Sequence, residues 1–477
     1  MNLISENKRR VTDSMELIAQ KRDRYIHRNR YYYKNLICFF RFSIPEGSRV
    51  LEIGCGTGYV LNAMKPSTGK GIDLSPGMIK IAREKYPQLK FEVMDAEQIT
   101  LQETFDFIII SDTLGYLEDI QAAFNNLKSI VHSESRILIS YHSFLWEPLL
   151  WFAQVMGLKM PHRRLNWLNR GDVINLLQLE GFDVVKSGKR FLFPIYIPLI
   201  SWFLNKYIAN LPLFNSLCLT GYIIARLPEP RDHDNQDFSV SVIIPARNEK
   251  GNIEEAVIRI PEMGKHTEII FVEGNSTDDT LAEIQRVCDA YKGMRDVKYL
   301  IQDGKGKGDA VRKGYDHAEG DILMILDADL TVPPEDLPKF YNAIATGRGE
   351  FINGTRLVYP MEEEAMRTLN MMGNKFFSVM FSWLLGQRIK DTLCGTKVLT
   401  AGNYRRLAAN RSYFGNFDPF GDFDLIFGAS KLNLKLLEVP IRYRARKYGE
   451  TNISRFRHGW LLIRMVVYAL NKIKFID

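Results

Sequence analysis

Short apolar runs that break into glycine or acidic residues recur along this chain, and between them apolar residues return every three or four positions. Residues 49–53 empty into Gly54-Cys55-Gly56-Thr57-Gly58, with Val60, Leu61 and Met64 following at helical spacing. Similar runs end at Asp73, at Asp95 and at Asp112, and another covers residues 137–141. Runs this short and continuous are the pattern of strands buried on both faces, and the helical stretches between them predict parallel βαβ units. Residues 166–179 read as a helix and 182–186 as a further strand. After a polar, proline-marked stretch at 228–237 the design starts again. Residues 240–244 stop at Pro245, 269–272 exit at Glu273, and 322–326 exit at Asp327-Ala328-Asp329. Helical patterns through Leu281, Ile284 and Val287, and through Ala310, Val311 and Tyr315, lie between them. The expectation is an α/β protein of two domains, residues 1–227 and 238–477 joined by a linker at 228–237, each a doubly wound, mostly parallel sheet.

Composition narrows this picture without redirecting it. With 46% hydrophobic and 25% charged residues the chain has the make-up of a globular protein, and a net charge of +7 is too mild to suggest a nucleic-acid partner. The positive charge gathers late in the chain, in Arg442, Arg444, Arg446, Lys447, Arg455, Arg457 and His458, just ahead of Trp460, Leu461 and Ile463. Basic residues beside apolar and aromatic ones suit an anionic membrane surface. Five scattered cysteines without C-x-x-C spacing predict neither a disulfide framework nor a zinc site, which fits a reducing cytoplasm. Residues 1–30 lack the apolar core of a signal peptide. The apolar stretch 191–214 is interrupted by Pro194, Pro198, Lys206 and Pro212, and the run after Trp460 is broken by Arg464. Neither supplies the roughly 20 apolar residues of a membrane-crossing helix. The expectation is a protein that does not span the bilayer and sits peripherally at the inner face of the cytoplasmic membrane. Residues 191–219 read as a cap packed on the first domain, with membrane contact as the alternative.

In the first half, a strand breaking into Gly-x-Gly-x-Gly and then a helix lets backbone approach a nucleoside closely. Asp73, at the end of the next strand, can hold ribose hydroxyls, and Asp95 is a second acid at a third exit. Tyr116, His142 and Trp146 follow the fourth and fifth strands and are candidates for the side facing a second substrate. Taken in order, residues 30–227 resemble a class I S-adenosylmethionine-dependent methyltransferase of Rossmann-like fold. The resemblance implies that Glu52, Gly54, Gly56 and Gly58 cradle the methionine part of the cofactor, Asp73 its ribose, and Asp95 with Ala96 its adenine.

In the second half, the Asp327-Ala328-Asp329 exit leaves room for a hard divalent cation, Mg or Mn, that would neutralise a diphosphate. Gly304-Lys305-Gly306-Lys307-Gly308 ahead of a helix combines backbone donors with point charges, a natural diphosphate cradle that lacks the Walker A spacing. Glu273 can accept hydrogen bonds from ribose or base. Thr277 or Asp278 can cap the helix that follows. In this order residues 238–472 resemble glycosyltransferase family 2, the inverting GT-A fold. The closer likeness is to the polyprenyl-phosphate branch, through Asn353-Gly354-Thr355-Arg356, the stretch from Asp391 to Lys397, and Glu438-Val439-Pro440-Ile441. The resemblance implies that Pro245, Ala246, Glu249 and Glu273 face the nucleoside, Lys305 and Lys307 the diphosphate, and Asp327 and Asp329 the metal. Where the family usually shows Asp-Asp-Gly-Ser, this chain has Glu273-Gly274-Asn275-Ser276, which leaves UDP and GDP sugars both open.

The acceptor follows from chemistry. A phosphate monoester is largely ionised at neutral pH, its second pKa being about 6, and needs cations to hold it. Arg356, Arg367 and Lys397 are the candidates. A hydroxyl acceptor needs a base instead, for which Asp422 and Asp424 are candidates. Residues 369–385, rich in methionine and aromatics, pack as core or receive a lipid tail. The expected function is transfer of a sugar from a nucleotide sugar to a polyprenyl-phosphate or related glycolipid acceptor with inversion, fused to methyl transfer from S-adenosylmethionine. The alternative is a soluble sugar or glycan acceptor, with the first half a non-catalytic nucleoside-binding or scaffolding module.

Overall fold

The computed structural model describes residues 5–161, 166–229, 237–358, 368–413, 423–444, 446, 448 and 455–476, with the side chains of 368–372 and 455–459 outside that description. The chain divides into two compact units, residues 1–228 with 475–477, and residues 229–474. Each is built on a seven-stranded, mostly parallel sheet.

The first sheet comprises β1 (Arg49–Ile53), β2 (Thr68–Asp73), β3 (Lys90–Val93), β4 (Phe107–Ser111), β5 (Arg136–His142), β6 (Asp183–Arg190) and β7 (Thr220–Arg226). Their order is β3-β2-β1-β4-β5-β7-β6, and β7 runs antiparallel to β5 and β6. Alternate residues of the continuous apolar runs feed different cores, Ile108 and Ile110 one and Phe107 and Ile109 the other. That is why these strands lack the alternation of a half-buried sheet. The helices are α1 (Glu6–Ala19), α2 (Arg22–Arg28), α3 (Arg30–Ser43), α4 (Tyr59–Ala63), α5 (Pro76–Lys85), α6 (Ile120–Leu127), α7 (Glu147–Val155), α8 (Arg170–Leu179), α9 (Ile200–Lys206) and α10 (Pro212–Asn215). Local signals set their starts: Ser75 accepts the Met78 N–H ahead of Pro76, and Asn169 and Asp172 form a reciprocal cap on α8.

One expectation does not hold. Residues 191–219 were to pack as a cap, yet Ile195, Tyr196, Leu199, Trp202, Phe203 and Leu213 are exposed, and only a few anchors such as Phe191, Ala209 and Leu219 are buried. Three short elements in a stretch interrupted by prolines cannot turn one face consistently inward, so the apolar content of the stretch overstated its burial.

The second sheet comprises β8 (Ser239–Ala246), β9 (His266–Glu273), β10 (Asp296–Ile301), β11 (Ile322–Ile325), β12 (Phe351–Thr355), β13 (Lys397–Thr400) and β14 (Leu436–Pro440). The order is β10-β9-β8-β11-β13-β12-β14, and β13 runs antiparallel to both β11 and β12. Around it lie α11 (Ile253–Arg259), α12 (Thr280–Ala290), α13 (Lys307–His317), α14 (Leu337–Ala345), α15 (Thr368–Leu385), α16 (Ala401–Ala409), α17 (Phe423–Lys431) and α18 (Arg455–Ala469). Among the described residues no helix is long and apolar enough to cross a membrane.

In each sheet the order of the parallel strands turns from descending to ascending, between β1 and β4 in the first and between β8 and β11 in the second. At such a switch point the flanking connections leave toward opposite sides, and the crevice at the strands' carboxyl ends is open to a ligand. Residues 54–58 and Asp112 border the first crevice; Glu249 and Asp327 border the second. The second depends on how closely α13 lies on the sheet. A Cβ at Gly314 would sit 2.5 Å from Ile243 Cγ2 and 3.2 Å from Val272 Cγ2, so only glycine allows that approach. Gly314→Ala is expected to lower stability by about 1–3 kcal/mol through overpacking, read as a lower urea midpoint at unchanged slope. An unchanged midpoint contradicts the packing argument.

Candidate functional site

In the first unit Gly54, Gly56 and Gly58 all take positive φ, +71°, +52° and +76°, so the turn after β1 is one that only glycine adopts freely. Asp73 at the end of β2 grips this turn, with Oδ2 accepting the Gly56 N–H at 2.8 Å and Oδ1 that of Ser75 at 2.9 Å. Burial raises its pKa, and those two N–H groups oppose the rise. Glu52 is buried and its Oε2 accepts the Leu61 N–H at 2.9 Å, securing the start of α4. Burial pushes its carboxyl up to about 8 despite that bond. Asp95 pairs with Lys8 at 2.6 Å, and its Oδ1 accepts the Glu97 N–H. Ala96 lines the same cavity, of about 1790 Å³, as do Tyr116, His142 and Trp146. The Tyr116 hydroxyl is pushed up to about 12 by burial, and the Trp146 indole donates to the Leu217 carbonyl at 2.8 Å.

Sequence reasoning missed the N-terminal helices. On α1, Lys8 reaches Asp95, and Glu16 Oε1 accepts the Ser75 hydroxyl at 2.6 Å and the Gly77 N–H at 2.7 Å. On α2, Asp23 accepts the Thr57 hydroxyl at 2.7 Å, and Arg22 Nε lies 3.7 Å from where a Cβ on Gly56 would stand. Residues 1–30 are charged all along, and nothing in that pattern marks which charges turn inward.

In the second unit the structure brings together Glu249, Lys307, Asp327 and Asp329. Asp327 Oδ1 pairs with Lys307 Nζ at 2.6 Å, and the Asp327 carboxylate backs directly onto Gly395. Burial opposes ionisation of Asp327, but Lys307, with Lys397 and Arg356 further off, holds its carboxyl below the usual range. Asp329 Oδ2 accepts from Arg446 at 2.7 Å and its Oδ1 from the Thr331 hydroxyl at 2.8 Å. Arg446 also reaches Glu249 Oε1 at 3.1 Å, while Asn252 donates to Glu249 Oε2 at 2.7 Å. Burial lifts the Glu249 carboxyl to about 6 against the pull of Arg446. Arg446 was read from sequence only as part of a basic tail.

The remaining sequence candidates fall into other settings. Pro245 and Ala246 end β8, where the Ala246 carbonyl accepts the Gly274 N–H at 2.8 Å. Glu273 is buried and its Oε1 accepts the Ser276 N–H at 2.6 Å, closing its own turn. Asp278, two residues ahead of Thr280, accepts that residue's N–H at 3.0 Å. Lys305 is exposed in the loop before α13. Lys397 is fully buried and its Nζ donates to the Cys394 carbonyl. Arg356 grips buried Asp391 through Nε at 2.7 Å and Nη2 at 2.8 Å, and Asn374 donates to the same carboxylate at 3.1 Å. Asp424 on α17 lies near Arg312 and Arg411, at 3.6 and 3.5 Å. Arg367, Asp422 and Lys447 lie outside the described residues, as do the side chains of Arg455, Arg457 and His458.

One crevice thus lies behind a glycine turn and the other is ringed by paired acids and cations, each at the switch point of a doubly wound α/β sheet. The family described as methyltransferase domain matches residues 25–187, and glycosyl transferase family 2 matches residues 241–411. The chain thus carries a methyltransferase domain followed by a family 2 glycosyltransferase domain. It is similar to the undecaprenyl-phosphate 4-deoxy-4-formamido-L-arabinose transferase of Edwardsiella ictaluri, 38% identical over 237 residues that make up 48% of this chain and 66% of that protein. It is also similar to the dolichyl-phosphate beta-glucosyltransferase of Saccharomyces cerevisiae, 27% identical over 250 residues, 47% of this chain and 72% of that protein. The glycosyltransferase AglJ of Haloferax volcanii is 26% identical over 226 residues, 47% of this chain and 69% of that protein. The chain spans between 34% and 72% of the length of such relatives.

The buried Glu52 yields a test that needs no substrate. A carboxyl whose pKa rises on folding from the ordinary 4.5 to about 8 gives stability that is whole below pH 4.5 and lost as pH rises through 8. Glu52→Gln keeps the acceptor for Leu61 and cannot ionise. Its melting temperature should therefore gain on that of the unaltered protein between about pH 5 and pH 8.5. Parallel curves contradict the burial argument.

Proposed function

We propose that the second unit moves a sugar from a nucleotide-sugar donor to a polyprenyl-phosphate or related glycolipid acceptor with inversion, and that the first unit transfers methyl groups from S-adenosylmethionine. The observation that carries the first claim is the meeting of Glu249, Asp327 and Asp329 with Lys307, the first residue of α13, at the switch point of the second sheet. The relatives named for undecaprenyl-phosphate and dolichyl-phosphate support the acceptor class.

Asp327 and Asp329 offer two carboxylates, and among the described residues no group of three acid, histidine or cysteine side chains is placed to hold a metal. That donor set suits a divalent cation, Mg or Mn, that takes its other oxygens from water and a diphosphate. When bound there, the cation offsets negative charge on the leaving diphosphate. Lys307, at the N-terminus of α13, acts on the same charge. A phosphate acceptor brings its own ionised oxygen, so the chain needs to supply positive potential more than a base, and Arg446 places a guanidinium beside Asp329. Arg356 serves this reading by position: tied to Asp391, it anchors the loop whose Gly395 supports Asp327.

For the first unit, the cavity combines a glycine turn, the strand-end acids Asp73 and Asp95, and the cation Arg22 beside Gly56. That set fits a nucleoside joined to an amino-acid carboxylate. Bound S-adenosylmethionine supplies an electrophilic methyl group. Glu16 and Asp23 hold α1 and α2 across the turn, where they exclude water from the cofactor.

Peripheral membrane attachment at the cytoplasmic face belongs to the same reading. On α18, Trp460, Ile463 and Val467 recur at helical spacing and are exposed, and on α15 so are Phe376 and Val379. Arg442 and Arg444 are exposed nearby in the chain.

With a polyprenyl phosphate and a divalent cation present, Asp329→Ala should lower sugar transfer by about 10²–10³-fold, and chelation should abolish it until Mg or Mn is returned. Unaffected turnover contradicts the metal role. In calorimetry the whole chain should bind S-adenosylmethionine, and Arg22→Ala should bind it about tenfold more weakly. No binding to the unaltered chain contradicts the cofactor reading.

A further inference from the structure

The cavity of the first unit opens onto a surface unusual for a soluble domain. None of the nine residues of α7 is buried, although Leu149, Leu150, Trp151 and Phe152 follow one another there. A helix apolar on every side is ordinarily buried in protein or lipid. Leu149 and Phe152 are each 59% exposed and also line the cavity. Ile195 and Leu199 do the same at 63% and 80% exposed. One apolar surface therefore runs from the outside into the chamber that holds the glycine turn. At about 1790 Å³ that chamber exceeds the roughly 300–1,000 Å³ of common small-molecule sites, leaving room for a second ligand beside a nucleoside.

Deeper in the same cavity is a polar cluster at the strand ends. His142, ending β5, has Nδ1 3.7 Å from Oδ1 of Asp112, which follows β4. Tyr32 donates to Asp112 Oδ2 at 2.5 Å and Ser140 to Oδ1 at 2.9 Å, while the Tyr32 ring stacks on the imidazole at 5.7 Å between centroids. Asp112 is held at φ +53°, a left-handed conformation that non-glycine residues keep only where their surroundings impose it. A carboxylate fixed this way, 3.7 Å from Nδ1, balances a positive imidazolium.

We propose that the first unit methylates a hydroxyl group of an amphiphile, with the hydroxylated head at His142 and an apolar chain lying along Leu149, Phe152, Ile195 and Leu199. The proposal rests on the methyltransferase reading above. In the step, the hydroxyl oxygen bonds to the methyl carbon supplied by S-adenosylmethionine, the carbon–sulfur bond breaks with its electron pair going to sulfur, and the hydroxyl proton passes to His142 Nε2. Asp112 stabilises the charge that His142 gains. A bilayer or protein face docking from outside would use the exposed rim alone; continuity of that rim with the chamber's interior points to a chain that enters.

The test uses the whole chain and a series of methyl, hexyl and octyl glucosides kept below micelle-forming concentrations. Binding is read by tryptophan fluorescence in the presence of S-adenosylhomocysteine. Affinity should rise at least tenfold from methyl to octyl glucoside, and the double variant Leu149→Ser, Phe152→Ser should lose that dependence while binding S-adenosylmethionine as before. Equal binding of the three glucosides, or a double variant that keeps the dependence, overturns the proposal. His142→Gln should keep the rise in affinity from methyl to octyl glucoside and reduce methyl transfer to octyl glucoside by about 10²–10⁴-fold; unchanged transfer overturns the hydroxyl assignment. Loss of S-adenosylmethionine binding in the unaltered chain would instead remove the reading beneath the proposal, so the two failures are told apart.

Discussion

Acids gathered at neighbouring strand exits repel one another, and burial makes their ionised forms harder to hold. In the second unit this constraint shapes everything around the crevice. Lys307 answers Asp327, and Arg446 answers both Asp329 and Glu249. Lys307 is in place because α13 lies close on β8 and β9, which Gly314 permits. Behind Asp327, the loop carrying Gly395 is set by the buried pair of Arg356 and Asp391. Breaking such a pair leaves one charge buried and uncompensated, a loss of about 3–5 kcal/mol, so the wall of the site is held by a stronger constraint than a surface ion pair could supply.

The first unit meets the same constraint with backbone. Asp73 and Glu52 are satisfied by N–H groups of Gly56, Ser75 and Leu61, while Asp95 pairs with a cation, Lys8. Acids held by N–H groups stiffen the turn they hold, which suits a cradle; acids held by mobile lysine and arginine side chains suit a site where charge arrives and leaves. The two crevices share a topology and differ in how their charge is balanced.

Most of the parallel strands were legible because buried strands are continuous apolar runs with abrupt exits, and the exits named most of the site residues. Five strands escaped notice: β10, β12 and β14, which pair parallel, and also β7 and β13, which run antiparallel within parallel sheets. The composition of β7 and β13, with Gly221 in one and Lys397 in the other, does not show that pattern. Long-range partners were illegible for a different reason. Nothing in the sequence says that Lys8 meets Asp95, that Arg446 meets Asp329 across 117 positions, or that Arg356 is committed to Asp391. Residues 191–219 misled in the opposite direction, since apolar content implies burial only when an element can turn one face inward.

The proposed function has the second unit build a sugar–lipid phosphodiester. It is tested most directly by incubating the chain with labelled UDP- and GDP-sugars, a divalent cation and a polyprenyl phosphate, and determining the product by mass spectrometry and its anomeric configuration by NMR. The expected product is a sugar joined to the lipid through a single phosphate, with the configuration at the anomeric carbon inverted from that of the donor. No sugar–lipid product from any donor, with label appearing instead on a water-soluble glycan, would contradict it.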